Sequence, residues 1–401
     1  MRIPPELLRR VSPELPNILR AVFWENQYAT KAIQTTLRNR KEWGDKEKAV
    51  FSECVYDIIR NWRLLWYLLE RKPSINDLDH LVQIYFLFKG LKNQDTSALK
   101  RRLVSIKQVR AIAQSLPDWL DERGEQELKE RWYPVIKALN TPADIDLRVN
   151  TLRITKKELI TILRKEGIIV KPLQGHPDAL RLMEKRNVFA LPSFSEGLFE
   201  VQDAASQLVS HLLDPQEGMR VIDACAGEGG KTLHLATLMR NKGKVIALDT
   251  QEWRLAELRK RAAKAGIDTI EARCISSSKV YKRLEGTADR LLLDAPCSGL
   301  GTMRRNPDIK WKLTNDDLER LITLQQDLLG RYSSLTKPGG RMVYSVCSIL
   351  PSECETQIAR FLQIHASSFR LISEQRCWPD TDDTDGFYMA LMERTSQGKN
   401  K

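Results

Sequence analysis

Long apolar runs are missing from this chain. None of its 401 residues falls in a stretch approaching the roughly 18 to 20 needed to span a bilayer, and Met1-Arg-Ile-Pro-Pro-Glu6 carries no apolar signal core. A cytoplasmic protein is expected. Histidine is scarce: His80, His176, His211, His234 and His365 are isolated in sequence, and no two of the seven cysteines form a Cys-x-x-Cys pair. That excludes the usual zinc-site spacings and favours reduced thiols over a disulfide framework, so no metal is expected. Acidic residues are outnumbered, 52 to 64, leaving a net charge of +12. A polyanion such as nucleic acid is the favoured partner, an acidic membrane surface the weaker one. Disorder is excluded by the 42% hydrophobic content, which can fill more than one core.

Residues 1–140 carry helical spacing. After Asp45, read as an N-cap, Phe51, Val55, Ile58, Trp62, Leu65 and Leu69 recur every three or four residues. Leu99, Leu103, Ile106, Val109, Ile112 and Leu116 form a second stripe ending at Pro117, and Leu128, Trp132, Ile136 and Leu139 a third. Such stripes are core faces before they are binding surfaces. Lys100, Arg101, Arg102, Lys107 and Arg110 gather cations on one stretch, either a solvated face or an RNA contact. From 141 to 196 the pattern predicts a small β-α-β-β module, with strands at 145–149, 168–170 and 179–182 and a helix over 156–166. Residues 197–395 alternate strand and helix, the mark of a doubly wound parallel sheet, and 396–401 form a polar tail.

Within that last region, apolar runs stop on chemistry-bearing residues. Val221-Ile222 ends at Asp223, Val245 to Leu248 at Asp249, Leu291 to Leu293 at Asp294, and Met342 to Val346 at Cys347, while Cys297 follows Asp294 behind Pro296. Ligands of open α/β sheets bind at carboxyl strand ends. Three carboxylates and two thiols are therefore expected on one rim, with the thiols on adjacent strand ends flanking a planar substrate.

The turn after the first of these strands, Cys225-Ala-Gly-Glu-Gly-Gly-Lys231, combines close backbone approach with a helix start, suiting a carboxylate or phosphate. A phosphate-binding P-loop needs glycine where Cys225 stands, and a dinucleotide fingerprint needs glycine at Thr232. S-adenosyl-L-methionine fits better: its carboxylate would meet the loop formed by Cys225, Ala226, Gly227, Glu228, Gly229, Gly230 and Lys231, and its ribose would meet Asp249.

Paired thiols suggest pyrimidine chemistry. Cytosine C5 is too weak a nucleophile to take a methyl group until a thiolate adds to C6 and makes C5 an enamine carbon. A free thiol, with a pKa of about 8.5, needs local positive potential or a base; Lys231, Arg304 and Arg305 are candidates. Asp294 can hydrogen-bond the ring N3 and amino group.

Asp294-Ala-Pro-Cys-Ser-Gly299, Arg305-Asn-Pro-Asp-Ile-Lys-Trp311, Tyr344-Ser-Val-Cys-Ser348 followed by Glu353, and Gln202-Asp-Ala-Ala-Ser-Gln207 together resemble the RsmB/NOP family of RNA cytosine-C5 methyltransferases over about 141–395. The resemblance implies a Rossmann-like methyltransferase domain that uses S-adenosyl-L-methionine, with Cys347 as nucleophile, Cys297 assisting product release, Asp294 in the catalytic set, and a cofactor loop matching Cys225 through Lys231 that Asp249 and Asp294 complete. Residues 1–140, above all 44–62, look like the NusB-like helical domain that accompanies ribosomal RNA methyltransferases, which implies a small-subunit (16S) ribosomal RNA substrate and a monomer. The family's Ala-Pro-Gly-Gly-Lys is Gly227-Glu-Gly-Gly-Lys231 here, its threonine before the second cysteine is Val346, and no acid stands in Arg273 to Ser278 for the adenine amino group. Competing readings are a non-catalytic RNA-binding or ribosome-assembly factor, transfer RNA as substrate, and a P-loop-like hydrolase.

Overall fold

A computed structural model describes residues 4–91, 96–184 and 186–395. The polar tail expected at 396–401 and the side chain of Lys107 lie outside them. The chain divides into two units. One comprises residues 1–142 together with 302–315, the other 143–301 and 316–401.

The first unit is helical. Its core gathers Leu15, Leu19, Phe51, Val55, Ile58, Leu65 and Tyr85, and Phe23 stacks on Trp62 with centroids 3.6 Å apart. The stripe over 51–69 is buried as expected, but it lies on two helices, Asp45–Arg60 and Trp62–Leu69, hinged at Asn61. Gly44, not Asp45, is the N-cap. Asn61 directs its side-chain amide back to the Asp57 carbonyl, 2.9 Å away, a local bond that competes with helix continuation. The second stripe breaks into Ser97–Ser105 and Arg110–Ala113 around a 3₁₀ turn, and Val109 faces solvent. The third breaks at Lys129, which takes a positive φ of 50°.

Segment 302–315 is anchored inside this unit by charge and amide bonds. Asp308 accepts from the Ala29 amide at 2.8 Å. Buried Lys310 donates to the Arg60 carbonyl (2.8 Å) and the Asn140 side chain (3.0 Å), and the Trp311 indole to the Ile59 carbonyl (2.8 Å). Arg60 returns a bond to the Arg304 carbonyl at 2.9 Å.

The second unit holds two sheets. The smaller is antiparallel, in the order β2-β3-β1-β4, built from β1 (Asp146–Val149), β2 (Val170–Pro172), β3 (Ala179–Leu182) and β4 (Phe199–Val201). Helix Lys156–Lys165 covers it, started by a Thr155–Glu158 capping box. The larger has seven strands in the order β10-β11-β9-β8-β5-β6-β7. They are β5 (Arg220–Asp223), β6 (Lys244–Asp249), β7 (Ile270–Cys274), β8 (Ala288–Asp294), β9 (Thr336–Val346), β10 (Phe369–Cys377) and β11 (Phe387–Arg394). Strands β5 to β9 are parallel, and β11 and β10 add an antiparallel edge. The expected Rossmann-like α/β sheet, a preceding all-α region and a small α+β module are all present. Strand β5 lies between β6 and β8, so the order reverses there and opens a crevice at the carboxyl ends.

Candidate active site

Two loops and two strand ends build the rim. The first loop runs from β5 to helix Gly230–Leu238. Gly227 and Gly229 take φ of 55° and 86°, the left-handed region that favours glycine. A Cβ on Gly229 would collide with Leu258 at 2.5 Å, whereas one on Gly227 would meet nothing within 4 Å. The loop is therefore pressed against the protein at one glycine and open at the other.

Asp249, at the end of β6, shapes this loop. Its Oδ2 accepts from the Gly227 amide at 2.9 Å and its Oδ1 from the Gln251 amide at 2.8 Å. The small sheet supports the loop from the other side, where Arg148 donates to Gln202 and to the Gly230 carbonyl. Arg148 carried no sequence signal, being one arginine within a short strand. The Glu228 side chain is exposed, its carbonyl held by Arg261 at 2.8 Å, so its acid does not crowd the loop. An open glycine, a helix N-terminus and a neighbouring acid fit an amino-acid carboxylate and a ribose.

Asp223 departs from the expectation of three carboxylates on the rim. It is buried beneath the loop, accepting from Thr232 Oγ1 at 2.7 Å, and its Oδ1 has no partner. Burial pushes its carboxyl up to about 7. Burial likewise raises the Cys225 thiol well above its ordinary value.

The other half of the rim is chemically denser. Asp294 accepts from Lys231 Nζ at 2.7 Å and from Ser345 Oγ at 2.8 Å. Burial pushes the Lys231 ammonium down, but the Asp294 charge and hydrogen bond outweigh it and leave the group above its usual value. Lys231 also lies 4.9 Å over the Phe387 ring. The two sulfurs, Cys297 Sγ and Cys347 Sγ, are 3.4 Å apart and partly buried. That contact corrects one expectation: a planar base cannot enter between thiols already in contact, so a substrate must approach them from the same side. The Cys297 thiol is held well above its ordinary value, first by its hydrogen bond to Cys347, then by burial and by the charges of Cys347 and Glu353. Cys297 thus keeps its proton and can donate to the other sulfur. Of the two arginines considered as thiol activators, Arg304 belongs to the helical unit and donates to the Pro142 carbonyl.

Among the histidines, His211 and His234 are not isolated. Both meet Asp178 Oδ2, at 2.8 and 3.0 Å, with ligand-capable atoms within 4.8 Å of one another. Burial lowers His234 to about 3, and its Nδ1 is buried with no partner. A metal-bound imidazole needs its second nitrogen matched, so the cluster reads as a carboxylate bridging two imidazole rings. Of the basic stretch, Arg102 pairs with Glu70 and Arg110 with Asp121 and Glu125, while Lys100 and Arg101 stay exposed.

Comparisons with known proteins give the family. A family model described as 16S rRNA methyltransferase RsmB/F matches residues 210–393, and one for the ferredoxin-like domain of RsmF/B-like methyltransferases matches 116–189. A probable ribosomal RNA small subunit methyltransferase B of Synechocystis is 33% identical over 395 residues, covering 87% of this chain and 88% of that protein. The chain belongs to the RsmB/F methyltransferase family. Ribosomal RNA small subunit methyltransferase B of Proteus mirabilis is 36% identical over 69% of this chain and 65% of its own length. Among solved structures, PH0851 superposes with a TM-score of 0.78 at 27% identity, covering 98% and 99% of the two chains. A methyltransferase homologue from Pyrococcus horikoshii gives 0.64 at 30% identity over 71% and 97%. The family's cofactor is S-adenosyl-L-methionine, which the open loop at Gly227 suits. Among the described residues no helix is long and apolar enough to cross a membrane.

Proposed function

We propose that this protein methylates C5 of a cytosine in small-subunit ribosomal RNA, acting as a cytoplasmic monomer through a covalent cysteine adduct. The observation that carries the reading is the contact of Cys297 and Cys347 sulfurs at 3.4 Å beside the Lys231–Asp294 pair. Related proteins named as ribosomal RNA small subunit methyltransferases and a net charge of +12 support the RNA class. The division into a helical domain (1–140), a small module (141–196) and a methyltransferase domain (197–395) belongs to the same proposal.

Cys347 adds to C6, forming the S–C6 bond, while N3 takes a proton from the hydrogen-bonded Asp294–Lys231 pair. Asp294 and Lys231 orient the ring through N3 and the amino group. Residues 225–231 and Asp249 would hold S-adenosyl-L-methionine, which would supply the electrophilic methyl group for C5. Loss of the C5 proton to water then restores the C5–C6 double bond and breaks the S–C6 bond; N3 returns its proton to the Asp294–Lys231 pair and Cys347 leaves as thiolate. Cys297, still protonated in contact with the departing sulfur, assists that release.

Cys347→Ala is expected to abolish methyl transfer to 16S ribosomal RNA, and Cys297→Ala to leave protein covalently trapped on RNA, seen as a retarded band on a denaturing gel. Full turnover by the Cys347 variant overturns the assignment. Stabilisation by S-adenosyl-L-methionine without any methylation would favour an RNA-binding factor instead.

A further inference from the structure

Strand pairing alone does not account for the contact between the two thiols. Cys347 directly follows β9, but Cys297 lies three residues beyond the end of β8, past the last paired residue of that strand. Something else must hold the second sulfur in place.

The structure points to Glu353. We propose that Glu353 is a positioning residue, a buried carboxylate clamp that fixes both cysteine loops and so sets the distance between the two sulfurs. It rests on the cysteine chemistry proposed above.

Glu353 is fully buried, in a short turn after β9. Its Oε1 accepts from the Ser298 amide at 2.8 Å and from Gln325 Nε2 at 3.0 Å. Its Oε2 accepts from the hydroxyls of Ser298 and Ser348. Each of those serines is the residue immediately after one of the cysteines. Gln325, from helix Asn315–Ser333, also donates to the Pro296 carbonyl at 3.0 Å. Cys297 is therefore held through both of its neighbours, and Cys347 through the serine that follows it. The clamp is itself held, because the Tyr344 hydroxyl donates to the Glu353 carbonyl at 2.8 Å.

All four donors, one backbone amide and three side-chain groups, are neutral, and among the described residues no ion pair involves Glu353. A carboxylate offers about four lone-pair sites, and four donors occupy them here. An acid buried without a cation is unfavourable to a fold unless its hydrogen bonds are complete. The location of this one, at the junction of the two cysteine loops, gives it a purpose that packing does not. A glutamine could keep the shape and one acceptor oxygen for the Ser298 amide, with the serine hydroxyls rotating to accept from its amide group. Alanine would leave the Ser298 amide without its acceptor and both hydroxyls without the carboxylate they donate to. Glu353 also contributes to the high proton affinity of Cys297, so its loss should move the pH profile as well as the geometry.

The test uses the full chain and two independent readouts. Diamide converts neighbouring thiols to a disulfide, taking up two electrons and two protons, and the rate of Cys297–Cys347 disulfide formation reports their proximity without any methyl transfer. In Glu353→Ala that rate should fall at least about tenfold. The kcat for RNA methylation should fall about 100-fold, the effect of a misplacement near 1 Å, with KM for S-adenosyl-L-methionine within about twofold. Glu353→Gln should recover a large part of both rates, and its kcat–pH profile should shift to lower pH because the charge beside Cys297 is gone. Ser298→Ala and Ser348→Ala, each removing one hydroxyl, should lower both rates by a smaller factor and keep the clamp testable if the alanine variant does not fold. Unchanged disulfide and methylation rates in Glu353→Ala, or in Glu353→Gln and both serine variants, overturn the inference. A wild-type protein that makes the disulfide but no 5-methylcytosine overturns the cysteine chemistry and leaves the clamp standing.

Discussion

Two lysines, one in each unit, are withdrawn from solvent, and their proton affinities move in opposite directions. Lys231 at the sheet rim meets the Asp294 carboxylate at 2.7 Å, and its proton affinity rises. Lys310 in the helical unit is 2% exposed and meets only the Arg60 carbonyl and the Asn140 amide oxygen. Burial, and then the nearby Arg60 charge, push its ammonium well below the ordinary lysine value. The same side chain is thus a held positive charge in one place and a hydrogen-bonding strut in the other. A carboxylate partner, and not burial, decides which.

The sharpest way to break this contrast is Lys231→Met. It should lower kcat about 10²- to 10³-fold, the range for removing one preorganised charged donor, in a methylation assay with ribosomal RNA, while the melting temperature moves little. Wild-type turnover would place Lys231 outside the chemistry. Lys310→Met should act on stability instead, costing about 1–3 kcal/mol in urea unfolding at neutral pH because two oxygens lose their donor.

The pH dependence separates the two further. For Lys310 the folded-state pKa lies below the unfolded value of about 10.4, so the unfolded chain binds more protons between those values and stability rises with pH across that window. For Lys231 the folded value lies above the unfolded one, and its contribution, complete below the unfolded pKa, is lost as pH rises through the folded pKa. Removing Lys310 should therefore flatten the alkaline rise in unfolding free energy, and a steeper rise would contradict its assignment. The smallest effect concerns cations that remain exposed. If Lys100 and Arg101 each touch a phosphate, replacing both with alanine lowers the log–log salt slope of RNA binding by about 1.4–1.8; an unchanged slope leaves them as a solvated face.

Much of the rim was legible because apolar runs that stop on Asp249, Asp294 and Cys347 mark the ends of buried strands. The helical stripe over 51–69 was legible as a buried face, though not its hinge. Asn61 interrupts the backbone while Trp62 and Leu65 still turn toward the core, so periodicity continues across a break. Asp223 shares the sequence form of Asp249 and Asp294, yet the loop covers it, and local pattern cannot report what a later segment will cover. Contacts such as Ser298 with Glu353 or Arg148 with Gly230 join residues 55 and 82 positions apart. They follow from topology, and Gln325 carries no mark at all, being one polar residue on a long helix.

Residues 302–315 complete the helical unit, which sets a timetable during synthesis. At about 5–20 residues per second, the stretch from 142 to 315 takes roughly 9–35 s to emerge from a ribosome. For that interval the Ile59 and Arg60 carbonyls wait for Trp311 and Lys310, and the nascent amino-terminal helices depend on a strap encoded just downstream of Cys297. An isolated 1–142 fragment would remain in that waiting state.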